Sequence, residues 1–284
     1  MLSLVTGHTQ IYHEPPLLVG EVRQVAESAM RWYKEAPHMA TEEFMGKLRD
    51  LPRCEVPEDH CGGWLRAGSY TLMYSRAGVG KTAVMAELVH CLKTGEPFFG
   101  QDCKDIGPIL WVNGDMPAWQ VSERIGFLQD KVDLWHLRFD NLMARQEEFI
   151  QKCSHYKLVL LDNRSCLFEL PDANSAEAWT GLNNLLRRIA DSGCAVLLAT
   201  HEGKGESGSS FGSTAQEWFT DTIIRISARK LTKKEEEEKA NSPLGMHLDK
   251  QLEWTKNRLC QQPKTAHFQL DKNGHRLMCV WRLQ

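Results

Sequence analysis

The sequence predicts an α/β fold with a mainly parallel central sheet, and three observations support this prediction. Short apolar segments typical of buried strands alternate with longer segments in which apolar residues recur at helical spacing. A glycine-containing loop, Ser75–Thr82, stands between one such strand and one such helix. The C-terminal part carries three further strand-like segments, which predicts antiparallel strands added at one edge of the sheet.

The residues before the sheet are expected to form a short N-terminal leader, residues 1–60. It starts as an extended arm with two prolines and continues as two short helices, Glu21–Lys34 and Thr41–Leu51. A leader of this length could dock on a neighbouring subunit or cap its own core, and the sequence leaves both open. Residues 61–284 are expected to form one larger α/β domain.

The elements of the larger domain follow in order. Strand Tyr70–Tyr74 precedes the glycine-containing loop, and helix Ala83–Leu92 follows it. Glu202–Ser213 is rich in glycine and serine and is predicted to be a mobile loop. The remaining predicted strands are Ile109–Asn113, Leu158–Asp162, the apolar run before His201, Thr222–Ser227, Gln251–Asn257, Thr265–Leu270 and Leu277–Trp281, and the remaining predicted helices are Ala118–Asp130, Gln146–His155 and Ser175–Ser192.

The loop Ser75–Thr82 has the pattern G-x-x-x-x-G-K-[ST] of a phosphate-binding loop, with Ser75 in place of the first glycine. Ser75 fits there only if the turn does not require a positive φ. Lys81 supplies a cation for the β- and γ-phosphates, and the Thr82 hydroxyl can ligate Mg²⁺. The sequence therefore predicts a site for ATP with Mg²⁺, and the residues expected to hold the nucleotide are Ala77, Gly78, Val79, Gly80, Lys81, Thr82 and Ala83.

Two carboxylates follow predicted strands and are candidates for the chemistry of hydrolysis. Asp162 ends a buried strand, and ligands bind beyond the carboxyl ends of parallel strands, so we expect it to hold Mg²⁺. Asp115 follows the strand after the phosphate-loop helix and could orient the attacking water. The alternative for Asp115 is a helix N-cap, because Pro117 and a helical segment come directly after it.

Three polar or basic side chains are further candidates. His201 ends a buried strand, where it could respond to the γ-phosphate or be purely structural. Lys256 and Arg258 alternate on a late strand, which places both on one face. The domain's own phosphate loop is not expected to reach them, and they have no evident partner within the domain. They could act on a neighbouring subunit's site or form an ordinary charged strand face.

Composition limits the classes of function. Apolar residues make up 42% and charged residues 25% of the chain, and the net charge is −3, so no global basic field indicates nucleic acid. The nine cysteines without C-x-x-C pairs, together with the lack of a signal peptide or membrane span, predict a cytoplasmic protein with free thiols. Cys54, His60 and Cys61 lack a fourth ligand at zinc-site spacing, so no zinc site is expected.

Several motifs occur in an order that resembles RecA-like P-loop motor ATPases. They are GSYTLMYSRAGVGKT, ILWVNGDMP with ERI after it, KLVLLDN, LLATHEGK with GST and DTIIRI after it, and WTKNR. The set is most similar to replicative helicases of the DnaB and RepA kind, especially RepA-like ATPases of plasmids and phages. The resemblance implies a RecA-like core that forms a ring, commonly a hexamer, and moves single-stranded DNA through its centre during DNA replication.

The resemblance also implies roles for individual residues. Asp115 would activate water, Asp162 would attend Mg²⁺, and His201 would be the polar sensor. Arg124, nine positions after Asp115, would stack on adenine. Three further residues would act away from the subunit's own nucleotide. Lys204 would lie in a loop that faces DNA, and Lys256 and Arg258 would act on the neighbour's γ-phosphate.

Two departures from the family pattern bear on activity. Asp115 is one methylene shorter than the usual glutamate, and Phe211 stands where relatives commonly carry arginine. The leading interpretation is an ATP-driven helicase or translocase on single-stranded DNA in plasmid, phage or mobile-element replication. The alternative is a nucleotide-gated DNA-binding or loading ATPase without unwinding activity. A small-molecule kinase is disfavoured by the Lys256 and Arg258 pair and by the lack of an obvious lid domain.

Overall fold

The computed structural model describes residues 56–137, 141–170, 172, 175–202, 215–233, 236–237, 249–261, 263, 265–271 and 277–283. The two predicted N-terminal helices, Glu21–Lys34 and Thr41–Leu51, lie outside these residues, as does most of the glycine-rich loop after His201. The described residues all fall within one unit of the chain apart from Val56, and that unit spans Pro57–Gln284.

A nine-stranded mixed sheet carries the described helices on its faces, and a small two-stranded sheet precedes it. The strands are β1 (Asp59–Cys61), β2 (Leu65–Arg66), β3 (Tyr70–Ser75), β4 (Ile109–Asn113), β5 (Asp133–His136), β6 (Leu158–Asp162), β7 (Ala195–His201), β8 (Thr222–Ala228), β9 (Lys250–Asn257), β10 (Ala266–Leu270) and β11 (Leu277–Leu283). The helices are α1 (Lys81–Thr94), α2 (Ala118–Ile125), α3 (Gln146–Cys153), α4 (Arg164–Leu167), α5 (Ala176–Asp191) and α6 (Ala215–Trp218).

The strand order in the large sheet is β11-β10-β9-β8-β3-β7-β6-β4-β5. The strands from β8 to β5 in this order pair in parallel, and β9, β10 and β11 continue the sheet as antiparallel strands beyond β8. The predicted fold class is therefore confirmed, including the placement of the three C-terminal strands at one edge.

Helices on both faces explain why the central strands are continuously apolar. Every residue of β3, β4 and β6 is buried. Alternate residues of β3 belong to different cores, since Met73 packs with the apolar face of α1 and Leu72 packs with that of α5. On α5, the predicted apolar face is buried as a whole: Trp179, Leu182, Leu185, Leu186 and Ile189.

Some elements differ from the sequence-based predictions. The helix expected at Ala118–Asp130 ends at Ile125, where Gly126 begins a 3₁₀ turn, because glycine is a poor residue inside a helix. The helix expected at Gln146–His155 ends at Cys153. Strand β5 was not predicted, because it lies at the sheet edge and its residues are mostly exposed, so it lacks the apolar run of a buried strand.

The topology brings the carboxyl ends of four neighbouring strands together. In the register of the parallel pairs, Ser75 of β3 lies opposite His201 of β7, and Asn113 of β4 lies opposite Asp162 of β6. Since β7 also pairs with β6, the polar residues at these strand ends form one continuous edge. The candidate site is built on this edge.

Candidate functional site

The phosphate-binding loop connects β3 to α1 in the geometry that its sequence predicts. Gly78 and Gly80 have φ values of 75° and 111°, which side-chain-bearing residues rarely adopt. A Cβ on Gly80 would lie 2.6 Å from Leu270 Cδ1, whereas the space in front of Gly78 is open. In the described part of the chain, Phe99 is the one residue other than glycine that has a positive φ. Ser75 therefore does not have a positive φ, and serine fits the first position of the motif without backbone strain.

Lys81 is the first residue of α1 and is buried, with 8% of its surface exposed. Its ammonium donates to Ser75 Oγ at 3.1 Å and lies 3.4 Å from His201 Nδ1. Burial lowers the pKa of Lys81, and the nearby charges of Asp162 and Asp115 oppose that shift. A buried ammonium whose hydrogen-bond partners are neutral is well suited to an anionic phosphate.

Asp162 ends β6 and accepts a hydrogen bond from Thr82 Oγ1 at 3.0 Å. It is 2% exposed, and burial raises its pKa to about 6, with a further upward contribution from Asp115 and opposing ones from the Thr82 hydrogen bond, Lys81 and Arg124. A buried carboxylate beside a hydroxyl oxygen offers the hard oxygen ligands that Mg²⁺ prefers. The residues present therefore fit Mg²⁺, with Thr82 and Asp162 as the side chains that would hold it.

Asp115 lies just beyond β4 and is exposed. The structure does not support the helix-cap alternative, because the N-cap of α2 is Pro117 and no side chain caps that helix. One carboxylate oxygen of Asp115 accepts a hydrogen bond from the Cys166 thiol at 3.6 Å. The charge of Asp115 raises the pKa of both Asp162 and Lys81, so its carboxylate faces the same site.

His201 is positioned between the phosphate loop and the strand that carries Asp162. Its Nδ1 lies 3.4 Å from the Lys81 ammonium, and its Nε2 lies 3.3 Å from Asn163 Nδ2. Burial and the charge of Lys81 lower the pKa of His201, so the ring is neutral at physiological pH. Lys81 can only donate, so Nδ1 is the acceptor in this contact.

Glu202, next to His201, is a site residue that sequence reasoning missed. Its side chain is 2% exposed and pairs with Arg225 of β8 at 2.7 Å and with Arg76 of the phosphate loop at 3.5 Å. Its N–H also donates to the Ser75 carbonyl at 2.8 Å. The first residue of the glycine-rich segment is thus fixed to the phosphate loop. An acidic residue directly after a strand-ending histidine was the signal available in the sequence.

Asn113 is a second residue that was missed. Its side chain accepts from the N–H of Met116 at 3.2 Å and donates to the Met116 carbonyl at 2.8 Å, and it lies 2.8 Å from His136 Nδ1. These bonds fix the turn that carries Asp115. A buried asparagine at the end of an apolar strand was the signal in the sequence, since such a side chain requires partners.

Lys256 and Arg258 lie at the opposite end of the sheet from the phosphate loop. The N–H of Arg258 donates to Asp221 O, and the N–H of Asp221 donates to Tyr70 O, which places Arg258 beside the first residue of β3. Ser75 is the last residue of that strand, and five residues of extended strand span about 16 Å. As predicted, the domain's own phosphate loop is not within reach.

The two cations differ in their contacts. Lys256 donates to the Glu217 carbonyl and, at 3.3 Å, to Thr220 Oγ1, so the expectation that it lacks a partner within the domain is wrong. Burial, followed by the charge of Arg258, lowers the pKa of Lys256. Arg258 is exposed, and among the described residues its side chain makes one long hydrogen bond, 3.5 Å, to the Trp218 carbonyl. Arg258 is therefore the more available of the two cations, since Lys256 is half-buried and hydrogen-bonded within the domain.

The remaining predicted residues are placed as follows. Arg124 lies in the last turn of α2, and its charge lowers the pKa of Asp162, so it faces the candidate site rather than being remote from it. Its stacking on adenine stays a prediction.

Lys204 and Phe211 lie outside the described residues, as does Cys54. His60 and Cys61 are buried in β1, and no cluster of potential metal ligands occurs in the described parts of the chain.

Seven cysteines are free in the part of the chain whose side chains the structure describes: Cys61, Cys91, Cys103, Cys153, Cys166, Cys194 and Cys260. None of the helices that the structure describes is long and apolar enough to cross a membrane.

Comparison with known proteins agrees with this geometry. A family model described as an AAA domain matches residues 39–207, which is more than half of the chain. The match includes the phosphate loop, Asp115, Asp162 and His201, and it ends before Lys256 and Arg258. No curated protein matches the chain.

Proposed function

The chain belongs to the AAA-domain family of P-loop ATPases, and from this premise we propose that it is an ATP-driven motor that assembles into a ring around single-stranded DNA. Within the wider class we assign it to the helicases and translocases of the DnaB and RepA kind, which act in plasmid, phage or mobile-element replication. The ring is proposed to be hexameric, and the chemistry is hydrolysis of ATP with Mg²⁺.

The observation that carries this proposal is the separation of the charged groups to opposite ends of one sheet. Lys81, Asp162 and Asp115 meet at the carboxyl ends of the parallel strands, and Arg258 is exposed at the other end. A head-to-tail contact brings the Arg258 end of one copy to the phosphate-loop end of the next. Repeated contacts of this kind form a ring when the rotation between neighbouring copies closes. Arg258 then completes the neighbour's site.

Each residue of the site has a defined task in hydrolysis. The phosphate loop and Lys81 hold the nucleotide phosphates, and Thr82 and Asp162 would hold Mg²⁺, which neutralises charge on the phosphates when bound. Asp115 accepts a proton from the attacking water and orients it. Arg258 of the adjacent copy stabilises the charge that develops on the γ-phosphate, an effect of about 10³-fold or more for arginine fingers.

The exposed tryptophans favour the same arrangement. Trp218, 58% exposed, ends α6 beside Arg258, and Trp119, 65% exposed, lies in the first turn of α2 a few residues after Asp115. Exposed tryptophan next to exposed arginine is the composition of interface hot spots. Each end of the sheet that would meet in a head-to-tail contact thus carries one large apolar side chain.

The test of the motor is to measure particle mass and turnover with and without ATP and single-stranded DNA. We expect mass to rise to that of a closed ring with ATP, turnover to rise with single-stranded DNA, and a fluorescent duplex with a single-stranded tail to be unwound. The Lys81→Ala variant, which lacks the phosphate cation, should lose ATP affinity and turnover. A monomer under all conditions, or an unaffected Lys81→Ala variant, would contradict the proposal.

A loading or binding ATPase without unwinding is the second candidate, favoured by the shorter Asp115 and by the net charge of −3. It predicts DNA binding that depends on ATP, slow turnover, and an intact duplex in the same assay. The unwinding measurement therefore decides between the two functions.

A further inference from the structure

The carboxylate of Asp115 has few restraints for a group that must orient one water molecule. The residue is exposed, and it follows Gly114 in the turn after β4. In the described part of the chain, the one hydrogen bond to its side chain comes from the Cys166 thiol, which lies 3.6 Å from Oδ1. The orientation of the carboxylate depends on what holds that thiol.

Cys166 belongs to α4, the short helix directly after the strand that carries Asp162. This helix is anchored at its start by Asn163, whose side-chain oxygen accepts from Ser165 N at 3.0 Å and from Ser165 Oγ at 2.8 Å. Leu167, the last residue of the helix, is fully buried. The thiol is therefore presented from a fixed element rather than from a free loop.

The turn that carries Asp115 packs directly on this helix. A Cβ on Gly114 would lie 2.7 Å from Leu167 Cδ2 and 3.0 Å from Cys166 Cβ, so glycine is needed for the close approach. The Gly114 N–H also donates to Asp162 O at 2.7 Å. The contact between the thiol and the carboxylate is thus built into the packing of β4 against α4.

We propose that Cys166 is a positioning residue, whose thiol holds the Asp115 carboxylate in the orientation needed to accept a proton from the attacking water. The inference rests on the proposed role of Asp115 in hydrolysis. Cys166 itself does not contact the reacting atoms and does not act as a nucleophile. It restricts the rotation of an exposed side chain, and hydrolysis depends on the geometry that results.

The protonation state of the thiol agrees with this role. Burial raises the pKa of Cys166 to about 11, and the neighbouring Asp115 carboxylate contributes to the shift. The group is a neutral S–H at physiological pH and can donate to the carboxylate. A thiol is a weak donor, so the expected effect of losing it is moderate.

The test compares two variants that differ by one hydroxyl group. Cys166→Ala removes the donor, and Cys166→Ser retains a donor that the exposed Asp115 side chain can meet by a small adjustment. Loss of one hydrogen bond corresponds to roughly fivefold in rate. We expect kcat of Cys166→Ala to fall by about that factor with KM and ATP affinity unchanged. Cys166→Ser should stay within about twofold of wild type.

A double-mutant cycle with Asp115→Asn shows whether the thiol acts through the carboxylate. Cys166→Ala should cause no further loss of turnover in the Asp115→Asn background, because the positioned base is already absent. A further fivefold loss there, an unaffected Cys166→Ala variant, or equal losses for serine and alanine would overturn the inference alone. Wild-type turnover of Asp115→Asn would instead overturn the role of Asp115 in the proposed function.

Discussion

At the scale of single residues, the site holds two opposite charges in buried positions. Lys81 and Asp162 are both less than one-tenth exposed, and the closest hydrogen-bond partners of both are neutral, Ser75 for the ammonium and Thr82 for the carboxylate. Burial lowers the pKa of Lys81 and raises the pKa of Asp162, and both shifts favour the neutral form of the group. Burying these two charges costs stability, and bound Mg²⁺ and nucleotide phosphates would offset that cost.

The pH dependence of stability follows from Asp162 in the nucleotide-free protein. Because its pKa is raised from 3.8 to about 6, the carboxyl group favours the folded state below pH 3.8, and this contribution is lost as the pH rises to about 6. The free energy of unfolding of wild type relative to Asp162→Asn should fall over that range by at most about 3 kcal/mol. Denaturant unfolding at several pH values measures it, and a difference that rises with pH would contradict the shift.

Asp115 is expected to affect turnover without affecting ATP binding. Asp115→Asn keeps the shape but removes the proton acceptor, so kcat should fall by about 10²-fold or more while ATP affinity is retained. Asp115→Glu is the matched control, since it restores a carboxylate one methylene longer. Steady-state kinetics and equilibrium binding separate the two effects. Normal turnover of Asp115→Asn would mean that another group accepts the proton from the attacking water.

A motif or a strand end allowed the sequence to predict which residues lie together, and Lys81, Thr82 and Asp162 do so in the structure. It could not identify Cys166, because a cysteine in a short unpredicted helix has no spacing that relates it to Asp115. The contact exists only because β4 and β6 are neighbours in the sheet.

At the scale of elements, α6 and the turn after it form a firmly held segment, Ala215–Asp221. Arg187 of α5 pairs with Asp221 at 3.2 Å and donates to the Phe219 carbonyl. Lys256 holds the same segment from β9 through Glu217 and Thr220. The exposed Trp218 and Arg258 are thus presented from a rigid support.

Substitutions of Lys256 and Arg258 are therefore expected to affect different properties, stability for Lys256 and turnover for Arg258. Lys256→Ala removes the ammonium that donates to the Glu217 carbonyl and to Thr220 Oγ1, so the melting temperature should fall, by an amount corresponding to about 1–3 kcal/mol. Arg258→Ala should leave the melting temperature unchanged and lose turnover, by about 10³-fold. Thermal unfolding and kinetics on both variants test this, and equal destabilisation would contradict the separation.

The fold was predictable where elements are long and buried, as for β3, α1, β6 and α5. In these segments the number of apolar residues and their spacing indicate the same type of element. It was not predictable at β5, which is exposed at the sheet edge, or at α4 and α6, which have four residues each. A single turn of helix carries no periodicity, and its presence depends on tertiary packing.

At the scale of the whole molecule, a head-to-tail contact requires an apolar anchor as well as charge. Trp218→Ala should raise the protein concentration needed for assembly by on the order of tenfold, because exposed tryptophans at interfaces dominate binding. Leu134→Ala, on the exposed strand β5, is the matched control for loss of an exposed apolar side chain. Light scattering against concentration measures both, and equal effects of the two variants would exclude Trp218 as the anchor.

The proposed function requires that one active site be shared between two copies of the chain. The most direct measurement mixes Lys81→Ala chains with Arg258→Ala chains, each inactive alone, and follows turnover as the ratio varies. Some contacts then pair an intact phosphate loop with an intact arginine, so the mixture should regain part of the wild-type turnover. A mixture that demonstrably co-assembles and remains as inactive as either parent would contradict it.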